Sequence, residues 1–215
     1  MASDLSSIVR NSVKEKLARG EVVSSMTVRL VPNIEIVRLI KTAGFDSFYV
    51  DLEHSSLSLE TTSQIAVMAL ATDIPCFVRV PENRAEYIQR VLDGGAMGII
   101  APGVRSAAEA KAVDGVDMVM IGTNDLMGDL GIPGQFDHPK VKEAYARTID
   151  ACRRHGKHVG VGGLASRDDL VAEFVRMGAR YVSTGTDLGF LLDAATARAK
   201  RVADLATSSQ AGQKT

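Results

Sequence analysis

The chain has 215 residues, 46% of them hydrophobic and 24% charged, with a formal net charge of -1. That length suits one domain with a sizeable core, and the balanced charge leaves no basic excess for a phosphate backbone, so nucleic acid is not expected as a partner. No run approaches 18 uncharged apolar residues, and the charged N-terminus MASDLSSIVRNSVKEKLARG lacks the apolar centre of a secretion signal, so neither a membrane span nor secretion is expected.

Short apolar runs bounded by Gly or Pro alternate with longer amphipathic runs, the pattern of repeated βα units around a parallel sheet. In chain order the predicted strands are VVSSMTVRL, FDSFYVDLE, PCFVRVP, MGIIAPG, VDMVMIG, HVGVGG and YVSTGTD. The predicted helices are NIEIVRLIKTAG, SLETTSQIAVMALA, RAEYIQRVLDGG, PKVKEAYARTIDACRRHG and RDDLVAEFVRMGA, several of them ending at a C-capping Gly. A single (β/α)8 TIM barrel over residues 1–215 is predicted, with 206–215 as a flexible tail. An open doubly wound sheet fits less well, because MTVRLVPNIE has no glycine-rich turn after the first strand. The strand count is one short of closure, and the shortfall falls where AEAKAV meets DGVDMVM, around residues 112–114; the fifth strand is therefore expected to be missing. Cys76 and Cys152 have no metal-type spacing and suit a reducing cytoplasm.

Ionisable and polar residues gather just after the predicted strands, on what would be the active face of a barrel: Asp51, Glu53, His54, Arg79, Asn124, Asp125 and Asp187. In YVDLEHSS a carboxylate close to a histidine makes a plausible general base, or simply a hydrogen-bonded loop histidine. Arg79 lies within an apolar run and must find an anion, either a protein carboxylate or a bound oxyanion. In MIGTNDLMG, Asp125 could cap a helical turn or offer a hard oxygen to Mg²⁺ or Mn²⁺, with nearby backbone N–H groups facing a substrate carboxylate. A second protein ligand would be needed, and the strand just before supplies none. No strand interior holds a lysine, which disfavours imine chemistry.

Three segments, GFDSFYVDLEHSSLSLE, FVRVPENRAEYIQRVLDGGAMGIIAPGVRSAAEA and VDMVMIGTNDLMGDLGIPGQFDHPKV, together resemble the HpcH/HpaI family of class II, metal-dependent pyruvate aldolases, in order and over nearly the whole chain. The resemblance implies a (β/α)8 barrel, a homo-oligomer (a hexamer, or trimer of dimers that exchange their last helix), and a divalent ion, Mg²⁺, Mn²⁺ or Co²⁺, holding a pyruvate enolate. It casts Asp125 as a metal ligand that also meets the substrate, and Arg79 as the group that steadies the enolate oxygen. His54 and Asp51 become a base dyad, supported by Asp93 from a neighbouring subunit, and Asn124 lies where backbone amides receive the pyruvate carboxylate. Between VRSAAEA and DGVDMVM the family has several tens of residues that this chain does not, holding the fifth strand, a glutamate that is the second metal ligand, and a glutamine. Glu53 or Glu109 are the carboxylates left to replace that ligand. The function implied is a metal-dependent carbon–carbon lyase using a small 2-oxo acid and an aldehyde; the alternative is an impaired barrel that binds a 2-oxo acid without turnover.

Overall fold

A computed structural model describes residues 10–104 and 115–211. Its seven strands match the seven predicted runs one for one: β1 (Val23–Val28), β2 (Ser47–Asp51), β3 (Cys76–Arg79), β4 (Gly98–Ile100), β5 (Met118–Gly122), β6 (His158–Gly162) and β7 (Tyr181–Thr186). The described helices are α1 (Ser12–Ala18), α2 (Glu35–Ala43), α3 (Leu59–Ala71), α4 (Ala85–Asp93), α5 (Thr123–Asp129), α6 (Pro139–Arg154), α7 (Asp168–Met177) and α8 (Asp187–Ala211). Local chemistry sets several of their ends. Ser58 starts α3 by accepting a bond from the Thr61 N–H at 3.1 Å. Gly44 ends α2 at a φ of 88°, which lets its N–H reach the Lys41 carbonyl at 3.1 Å.

All strands are parallel and run β4-β3-β2-β1-β7-β6-β5 across one sheet. This is the order met by walking around a barrel wall, with β1 joined to β7 and the two middle strands, β4 and β5, as the edges among the described residues. The residues of the join around 112–114, and Glu109 with them, lie outside the described residues. At the C-terminus α8 runs on through Ala211, well into the stretch predicted to fray. Among the described residues no helix is long and apolar enough to cross a membrane.

Strand alternation sorts the side chains into two layers. Met26, Val28, Phe48, Val50, Cys76 and Val78 point outward and form one core with α2, α3 and α4. Val119, Val159 and Val161 also point outward, over the β5–β6 end of the sheet, and pack with α6 and α7, where the Tyr145 and Phe174 rings stack at 3.7 Å. The opposite parity faces the concave side. There Phe77 and Tyr181 meet edge to face at 6.4 Å, beside Met118 and Met120, and Val13 and Leu17 of α1 close the end where the strands begin. The Tyr181 hydroxyl donates to Ser25 Oγ at 2.7 Å, so the buried phenol is satisfied, and burial pushes its pKa up to about 12.

Asp187, at the start of α8, locks β7 to the loop after β1. Its carboxylate accepts the backbone N–H groups of Arg29, Leu30, Val31 and Leu188, each at 2.9 Å. Asp187→Ala would orphan these donors and should cost about 2 kcal/mol or more in urea unfolding, with Asp187→Asn costing less because one acceptor oxygen remains. An unchanged midpoint in the alanine variant would contradict this account.

Candidate active site

Inward parity continues to the C-terminal ends of three neighbouring strands and places Arg29 just after β1, Asp51 at the end of β2 and Arg79 at the end of β3. Asp51 and Arg79 are direct register partners across the β2–β3 pair. The Asp51 side chain is wholly buried, and a buried carboxylate must be neutralised or paired. It is paired twice. Arg79 donates from Nε to Oδ1 at 2.8 Å and from Nη2 to Oδ2 at 2.6 Å, while Arg29 donates from Nε to Oδ2 at 2.5 Å. Burial alone would raise the Asp51 carboxyl, but the Arg79 guanidinium, then that of Arg29, outweighs it and holds the group below the usual carboxylate range. The backbone N–H groups of Glu53 and His54 also donate to Oδ1, at 3.1 and 3.2 Å, and the Ser55 hydroxyl bonds the Asp51 carbonyl, so the turn after β2 is folded around this one residue.

Asp51 therefore meets His54 through the backbone, and its side chain is saturated by guanidinium groups. The His54 ring instead turns its Nε2 to Glu53 Oε2, 3.6 Å away, and Glu53 also accepts the Nη1 of Arg79 at 3.0 Å. The result is a chain of charges, Arg29–Asp51–Arg79–Glu53–His54, that runs from the buried strand ends to a half-exposed imidazole. Arg79 is the expected anion-seeking cation, and its structural anions are Asp51 and Glu53. Arg29 went unremarked in the sequence, although counting inward positions Ser25, Thr27 and Arg29 along VVSSMTVRL would have found it.

Asp125 and Asn124 stand at the same end of the sheet, in α5 just after β5, and both are exposed. The turn beneath them is rigid: buried Thr123 donates to the Gly162 carbonyl at 2.6 Å and shares a 2.9 Å bond with the Tyr145 hydroxyl. A Cβ at Gly122 would sit 2.7 Å from Asp125 Oδ2, so any side chain there displaces the Asp125 carboxylate from this position. Gly163, at a φ of 77°, would place a Cβ 3.0 Å from Asn124 Nδ2, which instead donates to the Gly163 carbonyl at 3.4 Å. Asp93 is not brought to this site within the chain: as the exposed last residue of α4 it lies at the opposite end, where the strands begin.

Among the described residues no group of three His, Cys, Asp or Glu side chains gathers closely enough to hold a metal ion. Asp125 offers one carboxylate, and Glu53, a candidate replacement, is drawn to Arg79. The described donors do not fit a resident divalent ion.

A parallel α/β sheet curled toward a barrel, with its ionisable groups collected on the C-terminal rim, defines an enzyme-type scaffold of the TIM-barrel class. The chain belongs to the HpcH/HpaI aldolase/citrate lyase family, whose profile matches residues 30–114 and again 103–194. It is 32% identical over 222 residues to a 4-hydroxy-4-methyl-2-oxoglutarate aldolase of Hapsidospora irregularis, covering 74% of this chain and 82% of the relative. It is 25% identical over 264 residues to a 4-hydroxy-2-oxo-heptane-1,7-dioate aldolase of Escherichia coli, covering 95% of this chain and 99% of the relative. Among solved structures it resembles an HpcH/HpaI aldolase of Desulfitobacterium hafniense with a TM-score of 0.74 at 25% identity, covering 88% of this chain and 96% of that one. The Escherichia coli alignment spans 264 positions but 95% of 215 residues is only about 204, so about 60 positions of that relative face no residue here. The same reckoning for the Hapsidospora relative, 222 positions against about 159 residues, leaves about 63. The two profile matches meet at residues 103–114, where the sequence shows its abrupt join.

Two measurements test the site. Asp51 has a lowered folded pKa, so its stabilising contribution is present above the ordinary carboxylate value of about 3.9 and is lost as pH falls through the lower folded value. Asp51→Asn should cost about 3 kcal/mol at pH 7 in urea unfolding, and the gap to wild type should narrow below about pH 4. A gap independent of pH would refute the ion pairs. Calorimetric titration with Mn²⁺ should give a dissociation constant weaker than about 10⁻⁴ M, as befits a single carboxylate. Micromolar binding would show that further ligands come from outside the described residues.

Proposed function

We propose that this chain is a carbon–carbon lyase that forms or cleaves 4-hydroxy-2-oxo acids through the enolate of pyruvate or a similar 2-oxo acid. The observation that carries it is the array Arg29–Asp51–Arg79–Glu53–His54 on the strand-end rim of an HpcH/HpaI chain. The relatives named above as aldolases of 4-hydroxy-2-oxo acids support the same substrate class.

Removing a C3 proton from pyruvate puts negative charge on its C2 oxygen, and breaking the carbon–carbon bond of the aldol puts charge on that same oxygen. Guanidinium groups fixed in advance stabilise that charge without reorganising. Arg79 is such a group, since its bonds to Asp51 fix the plane of its head. His54 is the group proposed to take and return the proton, with Glu53 beside its Nε2. On the β5 side the backbone amides at Asn124 are the contacts proposed for the pyruvate carboxylate, with Asp125 beside them as the metal ligand that the family resemblance implies. A class II mechanism with Mg²⁺, Mn²⁺ or Co²⁺ would need ligands beyond Asp125, and no step here is assigned to a metal.

The scaffold we propose is a (β/α)8 barrel without its fifth strand, which the unpaired edges β4 and β5 and the roughly 60 unmatched positions of the relatives support. A homo-oligomer is proposed as well: α8 exposes Leu188, Leu191 and Leu192 by half or more, and Asp93, remote from its own rim, is available to a neighbour's. Two buried, unpaired cysteines suit the cytoplasm. The lone carboxylate at Asp125 favours a second reading, a barrel that binds a 2-oxo acid without turning it over.

Proton exchange at C3 of pyruvate in D₂O, followed by NMR with and without Mn²⁺, separates the two. The lyase should exchange the methyl protons, His54→Gln should slow exchange by about 100-fold or more, and Arg79→Lys should slow it comparably. Pyruvate binding without exchange under either condition would leave the binding reading standing and remove the lyase.

A further inference from the structure

Arg79 and Arg29 share one carboxylate but differ in what they have left. Arg79 commits all three guanidinium nitrogens, Nε and Nη2 to Asp51 and Nη1 to Glu53, and its side chain is 14% exposed. Arg29 commits only Nε, and its side chain is 34% exposed. Its Nη1 and Nη2, which carry four of the five N–H donors, make no hydrogen bond among the described residues. The Asp187 carboxylate, which meets the Arg29 backbone, is already occupied by four backbone N–H groups. A guanidinium anchored at one nitrogen and open along its outer edge is preorganised for a second, bidentate carboxylate.

We infer that Arg29 is a specificity-determining residue that binds the distal carboxylate of a dicarboxylic 2-oxo acid; this rests on the 2-oxo acid site proposed above. The two guanidinium groups meet at a single oxygen, Asp51 Oδ2, and are therefore neighbours on the rim. A substrate whose 2-oxo group lies against Arg79 and which carries a further carboxylate a few carbons away reaches the free edge of Arg29. A substrate ending in a methyl group leaves that edge unpaired in a partly dehydrated site, which is the arrangement that discriminates most strongly against a missing polar group.

The test compares 2-oxoglutarate with 2-oxovalerate, which share a five-carbon skeleton and differ only in a carboxylate against a methyl at C5. Calorimetric titration of the full chain should give a dissociation constant for 2-oxoglutarate lower by about tenfold or more, and Arg29→Gln should bring the ratio of the two constants close to one. Arg29→Lys keeps a cation beside Asp51, so it keeps a folded sample where the glutamine variant fails, and its ratio should fall at least about threefold for want of a planar outer edge. Equal affinity of wild type for both acids, or a ratio retained in the folded variants, overturns the inference while 2-oxovalerate binding leaves the functional proposal standing. A wild type that binds neither acid removes that proposal and this inference together.

Discussion

One carboxylate, Asp51, organises the functional end of this fold. It is fully buried at a strand end, where ionisation is tolerated only because two guanidinium groups share its oxygens. Those two groups come from the strands on either side, and the same oxygens accept the backbone of the turn that carries Glu53 and His54. Any change in Asp51 therefore reaches three strand ends and a loop at once. The position of the imidazole is a consequence of that carboxylate, although no bond joins the two side chains.

The reason the charge collects there lies in the parity of parallel strands. On β2 the inward positions run Ser47, Tyr49, Asp51, and on β3 they run Phe77 and Arg79. Apolar and hydroxyl side chains fill the end where the strands begin, where Phe77, Tyr181 and helix α1 close the concave side. Ionised side chains follow one step later, where the loops open. Polarity thus increases along β1, β2 and β3 from a dry floor to a charged rim, where the ionised side chains are already paired with one another.

Much of this was legible in the sequence, because alternation and glycine-bounded runs are local signals. All seven strands fell where the apolar runs predicted, and Asp51, Arg79 and Asp125 fell on one rim. What escaped was non-local. Whether His54 turns toward Asp51 or Glu53 depends on how the loop after β2 closes, and the two arginines had already claimed Asp51. Arg29 lay in plain view at an inward position, but only the neighbouring strand shows that its charge is wanted there. Helix α1 was missed because SVKEKLA is short and charged, and buries only Val13 and Leu17, four residues apart.

The two halves of the rim are not equally supported. Strands β1 and β2, which carry Arg29 and Asp51, are almost wholly buried and flanked on both sides. Every residue of β4 and β5 is only half-buried, and among the described residues each of these strands hydrogen-bonds on one side alone. A parallel sheet is stable when both faces and both edges are covered, so the edge that positions Asp125 is the weakest part of the wall. The relatives carry roughly 60 aligned positions that face no residue here, and the two family matches meet at residues 103–114, between these strands. The guanidinium half of the rim is therefore built into the stable body of the fold, whereas the Asp125 half rests on strands that pair on one side alone among the described residues, so the Arg29–Asp51–Arg79 cluster should survive perturbations that displace Asp125.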